Sequence, residues 1–150
     1  MKAKIYKVIT VILLIAVMVT LFVLSHQDGT ESTETSGFVT KLLSLIFSNN
    51  IPEAIVRTFG HFSEFCALGF LMMNCFFALK ERLQPIHSIL LSWGYSWTDE
   101  IHQIFVDGRA FQISDLLVDL AGILTGSVII ATIILIYMRI TDTKNGKNQN

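Results

Sequence analysis

The chain has 150 residues, of which 52% are hydrophobic and only 15% are charged, and its formal net charge is −1. Soluble domains usually carry about 25% charged residues, so the mean hydropathy of +0.58 favours a small integral membrane protein of one domain. No basic patch with interleaved aromatic residues is present, so nothing in the sequence indicates a nucleic-acid partner.

Four stretches approach the roughly 20 mostly apolar residues that a helix needs to cross a bilayer. They cover about residues 8–24, 62–79, 86–105 and 118–138. The first and last carry almost no charge, whereas Glu64 interrupts the second and the third becomes polar from Thr98 onward. The sequence therefore predicts an all-α membrane protein, a four-transmembrane-helix bundle over residues 1–138, followed by a disordered tail at 139–150.

The basic residues predict the orientation of this bundle. Lysine and arginine occur before the first span, between the second and third, and after the fourth, at Lys2, Lys4, Lys7, Lys80, Arg82, Arg139, Lys144 and Lys147. With four spans all of them lie on one side, which the positive-inside rule assigns to the cytoplasm. We therefore expect a multi-pass inner-membrane protein with cytoplasmic N- and C-termini.

The N-terminal span has an alternative interpretation as a cleaved signal peptide, because a basic start precedes an apolar run. Its apolar run is longer than a usual signal core, and the region lacks an Ala-x-Ala-like cleavage site.

Between the first two spans, "FVTKLLSLIFS" (Phe38–Ser48) has apolar residues at helical spacing but is too short to span. This pattern predicts a short amphipathic helix in the outer interface.

Polar residues concentrate at the outer ends of all four predicted helices. His61 and Glu64 stand about 60° apart on the second helix. On the third helix, four polar side chains fall within about 60° of one another, and Glu100 is adjacent to them. On the fourth helix, two aspartates and two glycines share one face. These two sets are Ser92, Ser96, Asp99 and Gln103, and Asp115, Asp119, Gly122 and Gly126, while Ser25, His26 and Gln27 end the first helix.

The cost of burying charge predicts where these side chains point. An ionisable side chain in the hydrocarbon costs at least about 2.5 to 3.5 kcal/mol, so Glu64, Asp99 and Asp119 should face the bundle interior. The Gly122-x-x-x-Gly126 spacing on the same face lets another helix approach closely, in agreement with that orientation. Three simpler interpretations stay open: His61 with Glu64 as a structural pair at the membrane surface, Asp99 and Glu100 as headgroup-level residues with no partner, and Arg109 as an interfacial anchor.

Four quoted motifs carry a resemblance to a known family. They are "LSHQDGTES" (Leu24–Ser32), "RTFGHFSEFCALGF" (Arg57–Phe70), "DEIHQIFVDGR" (Asp99–Arg109) and "QISDLLVDLAGILTG" (Gln112–Gly126). In this order they resemble the VanZ family over about residues 10–138. The family pattern marks Ser25, Gln27, Arg57, His61, Glu64, Asp99, Glu100, Gln103, Gly108, Arg109, Asp115, Asp119 and Gly122. Thr58 stands where the family is often basic, and Asp107 where it often has proline.

The resemblance implies a setting in the cell envelope and leaves the chemistry open. The family's namesake is linked to resistance toward teicoplanin-type lipoglycopeptides, and no reaction is established for the family. Resistance is therefore an expected phenotype of a VanZ-like protein, whereas the substrate, any cofactor and any metal stay unassigned by the resemblance.

Two functions fit the polar residues about equally well. As a binding module, the outer cluster would hold a membrane lipid or peptidoglycan-precursor headgroup, with Arg109 and Arg57 taking phosphate. The side chains expected to contact such a ligand are Ser25, Gln27, Arg57, Gln103, Arg109, Asp115 and Asp119.

As an enzyme, the chain would be a membrane hydrolase or transferase with His61, Glu64, Asp99 and Glu100 as catalytic candidates. These residues together with Asp119 offer enough ligands for a divalent ion, or Asp99 or Glu64 could act as a general base without one. A third function, proton-coupled transport, would require a homodimer, because the polar residues lie at one end and no path across the bilayer is visible.

Overall fold

The computed structural model describes residues 2–27 and 52–147, which form four α-helices. These are α1 (Lys2–Ser25), α2 (Glu53–Lys80), α3 (Pro85–Gln103) and α4 (Ile113–Lys147). Neither described range contains a strand, so the predicted all-α class is confirmed. The amphipathic helix that we expect at Phe38–Ser48 falls outside these ranges.

Three of the four helices are long and apolar enough to cross a membrane. The apolar segments are Ala3–Ser25, Ala54–Lys80 and Ile113–Thr143. Helix α3 has 19 residues and is not among them, because its buried face is made of serine, acidic and glutamine side chains. The fold is thus a helical membrane bundle, while a fourth crossing by α3 stays a prediction.

Local chemistry explains where the middle helices begin and end. Helix α2 starts directly after Pro52, whose φ of −59° suits a helix start. It ends at Glu81, where a left-handed φ of 57° lets the Glu81 N–H donate to the Phe77 carbonyl at 2.8 Å. Helix α3 then begins with Pro85 in its first position. The short connection makes α2 and α3 antiparallel neighbours.

Three helices extend further than the sequence predicts, and α1 does so by beginning at Lys2 instead of residue 8. Helix α2 starts at Glu53 instead of residue 62, so Arg57 lies on a helix and not in the outer loop. Helix α4 runs from Ile113 to Lys147, so residues 139–147 are helical where a disordered tail was expected. No proline interrupts these extensions, and each added residue contributes another backbone hydrogen bond. Residues 148–150 are outside the described range.

Helices α2 and α4 pack with their backbones in close contact. An added Cβ at Gly122 would collide with the Phe62 carbonyl oxygen, and one at Gly126 with the Cys66 carbonyl oxygen. From the other side, an added Cβ at Gly69 would collide with the backbone of Ile123. The predicted inward orientation of the Gly122-x-x-x-Gly126 face is therefore confirmed, and its reason is this close approach.

The bundle interior combines an apolar middle with a polar lining. Leu21, Phe65, Leu68 and Ile123 form one apolar cluster, which brings together α1, α2 and α4. Five polar side chains have no solvent exposure at all: Ser88, Ser92, Ser96, Glu100 and Asp119. The outer surfaces of α1 and α4 are instead rich in exposed aliphatic residues. Such a surface suits lipid, and the polar groups are withdrawn from it.

Contacts at the two ends show that the helices alternate in direction. Lys7, near the start of α1, forms a 3.0 Å ion pair with Glu81, at the end of α2. His26, just after α1, lies with its Nδ1 3.2 Å from Nε2 of His102, at the end of α3. The ends of α1 and α3 therefore lie beside the starts of α2 and α4, and we call this end of the bundle the site end.

Gly126→Ala should destabilise the bundle by about 1 to 3 kcal/mol, because the new methyl group overpacks the contact with the Cys66 carbonyl. Gly94→Ala is the matched control, since an added Cβ there meets nothing within 4 Å and alanine favours helix. Thermal unfolding in detergent should show a lower midpoint for Gly126→Ala alone. Equal midpoints for the two variants would contradict the close packing of α2 against α4.

Candidate functional site

A hydrogen-bonded chain of three side chains joins α2, α3 and α4 at the site end. His61 Nδ1 lies 3.2 Å from Asp119 Oδ1, and Ser96 Oγ donates to Asp119 Oδ2 at 2.7 Å. Asp119 is fully buried and the His61 side chain is only 13% exposed. Because both oxygens of Asp119 are engaged, the orientation of the imidazole relative to α4 is defined.

The second imidazole nitrogen of His61 faces another acid. Its Nε2 lies 4.0 Å from Asp115 Oδ2, within ion-pair range but too far for a direct hydrogen bond. Asp115 is one turn before Asp119 in the first part of α4. His61 therefore lies between two carboxylates of α4, whereas the sequence pairs it with Glu64 of its own helix. Glu64 is half-buried and within electrostatic range of His61, Asp99, Asp119 and Arg109.

Glu100 is fully buried near His61 and Asp119. Its Oε2 accepts a 2.9 Å hydrogen bond from the backbone N–H of Gln112, directly before α4. A carboxylate is favoured at this position because helix N-termini present unpaired N–H groups and a partial positive charge. Its Oε1 is also buried, and no hydrogen bond to the described part of the chain reaches it.

Asp99 brings α1 into the cluster. Its Oδ2 accepts a 3.2 Å hydrogen bond from Gln103 Nε2, one turn later on α3, and the Ser25 hydroxyl lies beside the same carboxylate. All three side chains are at least 90% buried, with exposures of 8%, 1% and 4% for Asp99, Gln103 and Ser25. The predicted inward face of α3 is therefore observed, and the end of α1 contacts it.

Arg109 lies on the loop between α3 and α4, within electrostatic range of these acids. Gly108 has a φ of 73°, and the Arg109 N–H donates to the Val106 carbonyl at 3.1 Å, which forms the turn that precedes the arginine. Burial and the nearby charge of Arg57 lower the pKa of the Arg109 guanidinium, while Asp99, Glu100 and Asp115 act in the opposite direction. Arginine stays protonated in proteins, so Arg109 is a half-buried cation.

Two predicted site residues stand at the edge of the cluster. Arg57 is half-buried on α2 and interacts with Arg109 through like-charge repulsion, without an ion pair to a described acid. Gln27 follows α1, and its backbone N–H donates to the Leu24 carbonyl at 3.2 Å. Its side chain makes no hydrogen bond to the cluster within the described ranges. The structure therefore brings together nine of the eleven predicted side chains and leaves these two at the margin.

The structure also shows two features that the sequence reasoning missed. One is the His26–His102 pair, with ring centroids 5.4 Å apart, and the Phe22 ring is tilted against His102 with centroids 4.9 Å apart. The other is an apolar groove between α2 and α4 at the site end, lined by Ala54, Ile55, Thr58, Phe59, Phe62, Val118 and Ala121. Neither follows from spacing within one helix, because each depends on which residues of two helices lie at the same level.

Fold and cluster together define a small helical membrane protein with a polar, acid-rich centre at one end of its bundle. A family model described as VanZ/LLP1 matches residues 10–136, and the chain belongs to this family. Comparisons with curated proteins and with solved structures found no match for the chain. The resemblance inferred from the four motifs is thus confirmed.

Ser96→Ala should lower the stability of the bundle by about 1.5 to 3 kcal/mol, because it removes a hydrogen bond to the buried, ionisable Asp119 carboxylate. Ser63→Ala is the matched control, since its exposed hydroxyl bonds only carbonyls of its own helix. The measurement is the thermal unfolding midpoint in detergent. A Ser96→Ala midpoint equal to that of Ser63→Ala would show that the Asp119 contact contributes nothing.

Proposed function

We propose that the site end binds the anionic headgroup of a cell-envelope lipid or of a lipid-linked peptidoglycan precursor. The observation that carries this proposal is the half-buried guanidinium of Arg109, which lies on the loop between α3 and α4 within electrostatic range of Arg57 and of the acidic cluster. Guanidinium groups suit an anionic headgroup because each can donate paired hydrogen bonds to a phosphate.

The neighbouring surface supports a lipid rather than a free ion. The apolar groove lies next to the His61–Asp119 contact. Phe62, which follows His61 in the chain, and Val118, which precedes Asp119, both line it. An acyl or prenyl chain lying in this groove would place its headgroup beside His61 and the two arginines. The polar side chains of Asp99 and Gln103, which are already hydrogen-bonded to each other, would then face sugar, amide or water groups.

The distribution of basic residues supports an outward-facing site in the inner membrane. Lys7, Lys80 and Arg82 all lie at the end of the bundle opposite His61 and Asp119. Under the positive-inside rule this opposite end is cytoplasmic, together with both termini. A site on the outer face fits a role in lowering susceptibility to lipoglycopeptides such as teicoplanin, which act at the cell surface.

Reporter fusions test this orientation. An alkaline phosphatase domain inserted after Ala110 should be active, since this enzyme folds with its disulfides only outside the cytoplasm. The same domain inserted after Arg82 should be inactive, and a fluorescent protein there should fold. The reverse pattern would place the site end inside the cell and remove the basis for an envelope ligand.

Arg109→Ala should weaken binding of phosphatidylglycerol or a polyprenyl phosphate by about 10- to 150-fold, which corresponds to a charge-assisted hydrogen bond of about 1.5 to 3 kcal/mol. Arg82→Ala is the matched control, because Arg82 is an exposed arginine at the opposite end. Binding is measured with radiolabelled lipid on purified protein in detergent. Unchanged binding in Arg109→Ala counts against the proposal.

A second function, hydrolysis or group transfer on the same lipid, is favoured by the His61–Asp119 contact. A histidine whose one nitrogen is held by a buried carboxylate is oriented to act as a general base through the other. The lipid-binding experiment separates the two functions, because labelled product forms only if the protein is an enzyme. In that case His61→Gln should abolish product formation while the lipid still binds.

A further inference from the structure

Three ligand atoms, one from each of α2, α3 and α4, converge at the site end. A ring nitrogen of His61 and one carboxylate oxygen each of Glu100 and Asp119 all lie within 4.8 Å of one another. Glu100 and Asp119 are fully buried, and His61 is nearly so. We propose that these three side chains bind a divalent metal ion, with zinc as the best fit.

An unpaired buried carboxylate oxygen supports this proposal independently of the clustering. Oε2 of Glu100 is engaged by the Gln112 N–H, but its buried Oε1 accepts no hydrogen bond from the residues that the structure describes. A buried carboxylate oxygen without a partner is strongly disfavoured unless a cation or proton supplies one. A metal ion between Glu100, His61 and Asp119 provides that missing partner.

The charge balance around these residues points in the same direction. Five carboxylates interact with one another at the site end, those of Glu64, Asp99, Glu100, Asp115 and Asp119. The cations described near them are Arg109, Arg57 and, when protonated, His61. Arg57 lies at the margin, so the described interior holds more acidic than basic side chains. Buried charges of this kind are paired or coordinate metals.

The ligand types select among metals. One imidazole nitrogen and two carboxylate oxygens suit zinc, which takes three protein ligands and leaves a fourth position open at sites where small molecules bind. Magnesium and calcium prefer oxygen ligands alone and more of them. In a tetrahedral zinc site the ligand atoms are about 3.4 Å apart. Side-chain shifts of about 1 Å would bring the three observed ligand atoms to that separation.

The surrounding contacts match those that orient metal ligands elsewhere. Asp119 Oδ2 accepts from Ser96, and Glu100 Oε2 accepts from Gln112, so each carboxylate keeps an anchor besides the metal. If Nδ1 of His61 binds the ion, its Nε2 faces Asp115, 4.0 Å away, which is the position of an outer carboxylate partner. The metal site does not require the proposed lipid ligand.

Zinc binding to the purified full-length protein in detergent tests the site. The protein is stripped with a chelator, titrated with zinc chloride alone, and its bound zinc is measured by mass spectrometry and by competition with a fluorescent chelator. We expect one zinc per chain, with affinity reduced at least about tenfold in Glu100→Gln and in His61→Gln. Asp107→Asn is the matched control, because Asp107 is an exposed acid on the adjacent loop, and it should bind like wild type.

The same variants distinguish a metal ligand from a structural acid. Zinc should raise the unfolding midpoint of wild type and of Asp107→Asn, but not that of Glu100→Gln. Without zinc, Glu100→Gln should melt at or above the wild-type midpoint. Substoichiometric zinc in wild type would overturn the proposal. Wild-type zinc affinity in both Glu100→Gln and His61→Gln would also overturn it. Loss of zinc binding in His102→Gln would overturn it as well, because that result would assign the ion to the His26–His102 pair.

Discussion

The buried carboxylate of Asp119 is the interaction on which the rest of the site end depends. An ionisable group inside an apolar bundle must find partners within the protein, because lipid supplies none. Asp119 finds them on two other helices, in His61 of α2 and Ser96 of α3. Its need for hydrogen bonds therefore determines which faces of three helices meet, and a shift of any one of them would leave a buried carboxylate oxygen without a partner.

The glycines of α4 make this arrangement possible. Gly122 lies one turn after Asp119 and opposes the carbonyl of Phe62, the residue that follows His61. A side chain at Gly122 would separate the two backbones and lengthen the His61–Asp119 contact. Backbone proximity and side-chain hydrogen bonding thus reinforce each other, which accounts for a small-residue face and an acidic residue on one stripe of the same helix.

The charges arranged around Asp119 connect this packing to the proposed activities. Among the described residues, acids outnumber basic side chains near His61, and Arg109 lies on the adjacent loop within electrostatic range of Arg57. The proposed metal ion would bind at the acids, and the proposed phosphate headgroup would bind at the arginines. In the proposed function, the apolar groove of α2 and α4 would hold the lipid chain.

By itself, the amino-acid sequence determined the helical class, the family and the inward direction of Asp99, Gln103 and Asp119. These follow from helical periodicity and from the cost of exposing charge to lipid, both of which act within a single helix. The lengths of α2 and α4 were underestimated, because polar residues such as Arg57 end an apolar run without ending a helix. Only the tertiary structure decided that His61 pairs with Asp119 instead of Glu64, that Glu100 keeps an unpaired oxygen, and that His26 meets His102. Each of these depends on the axial offset between neighbouring helices, which interhelical packing sets and which no spacing along one helix encodes.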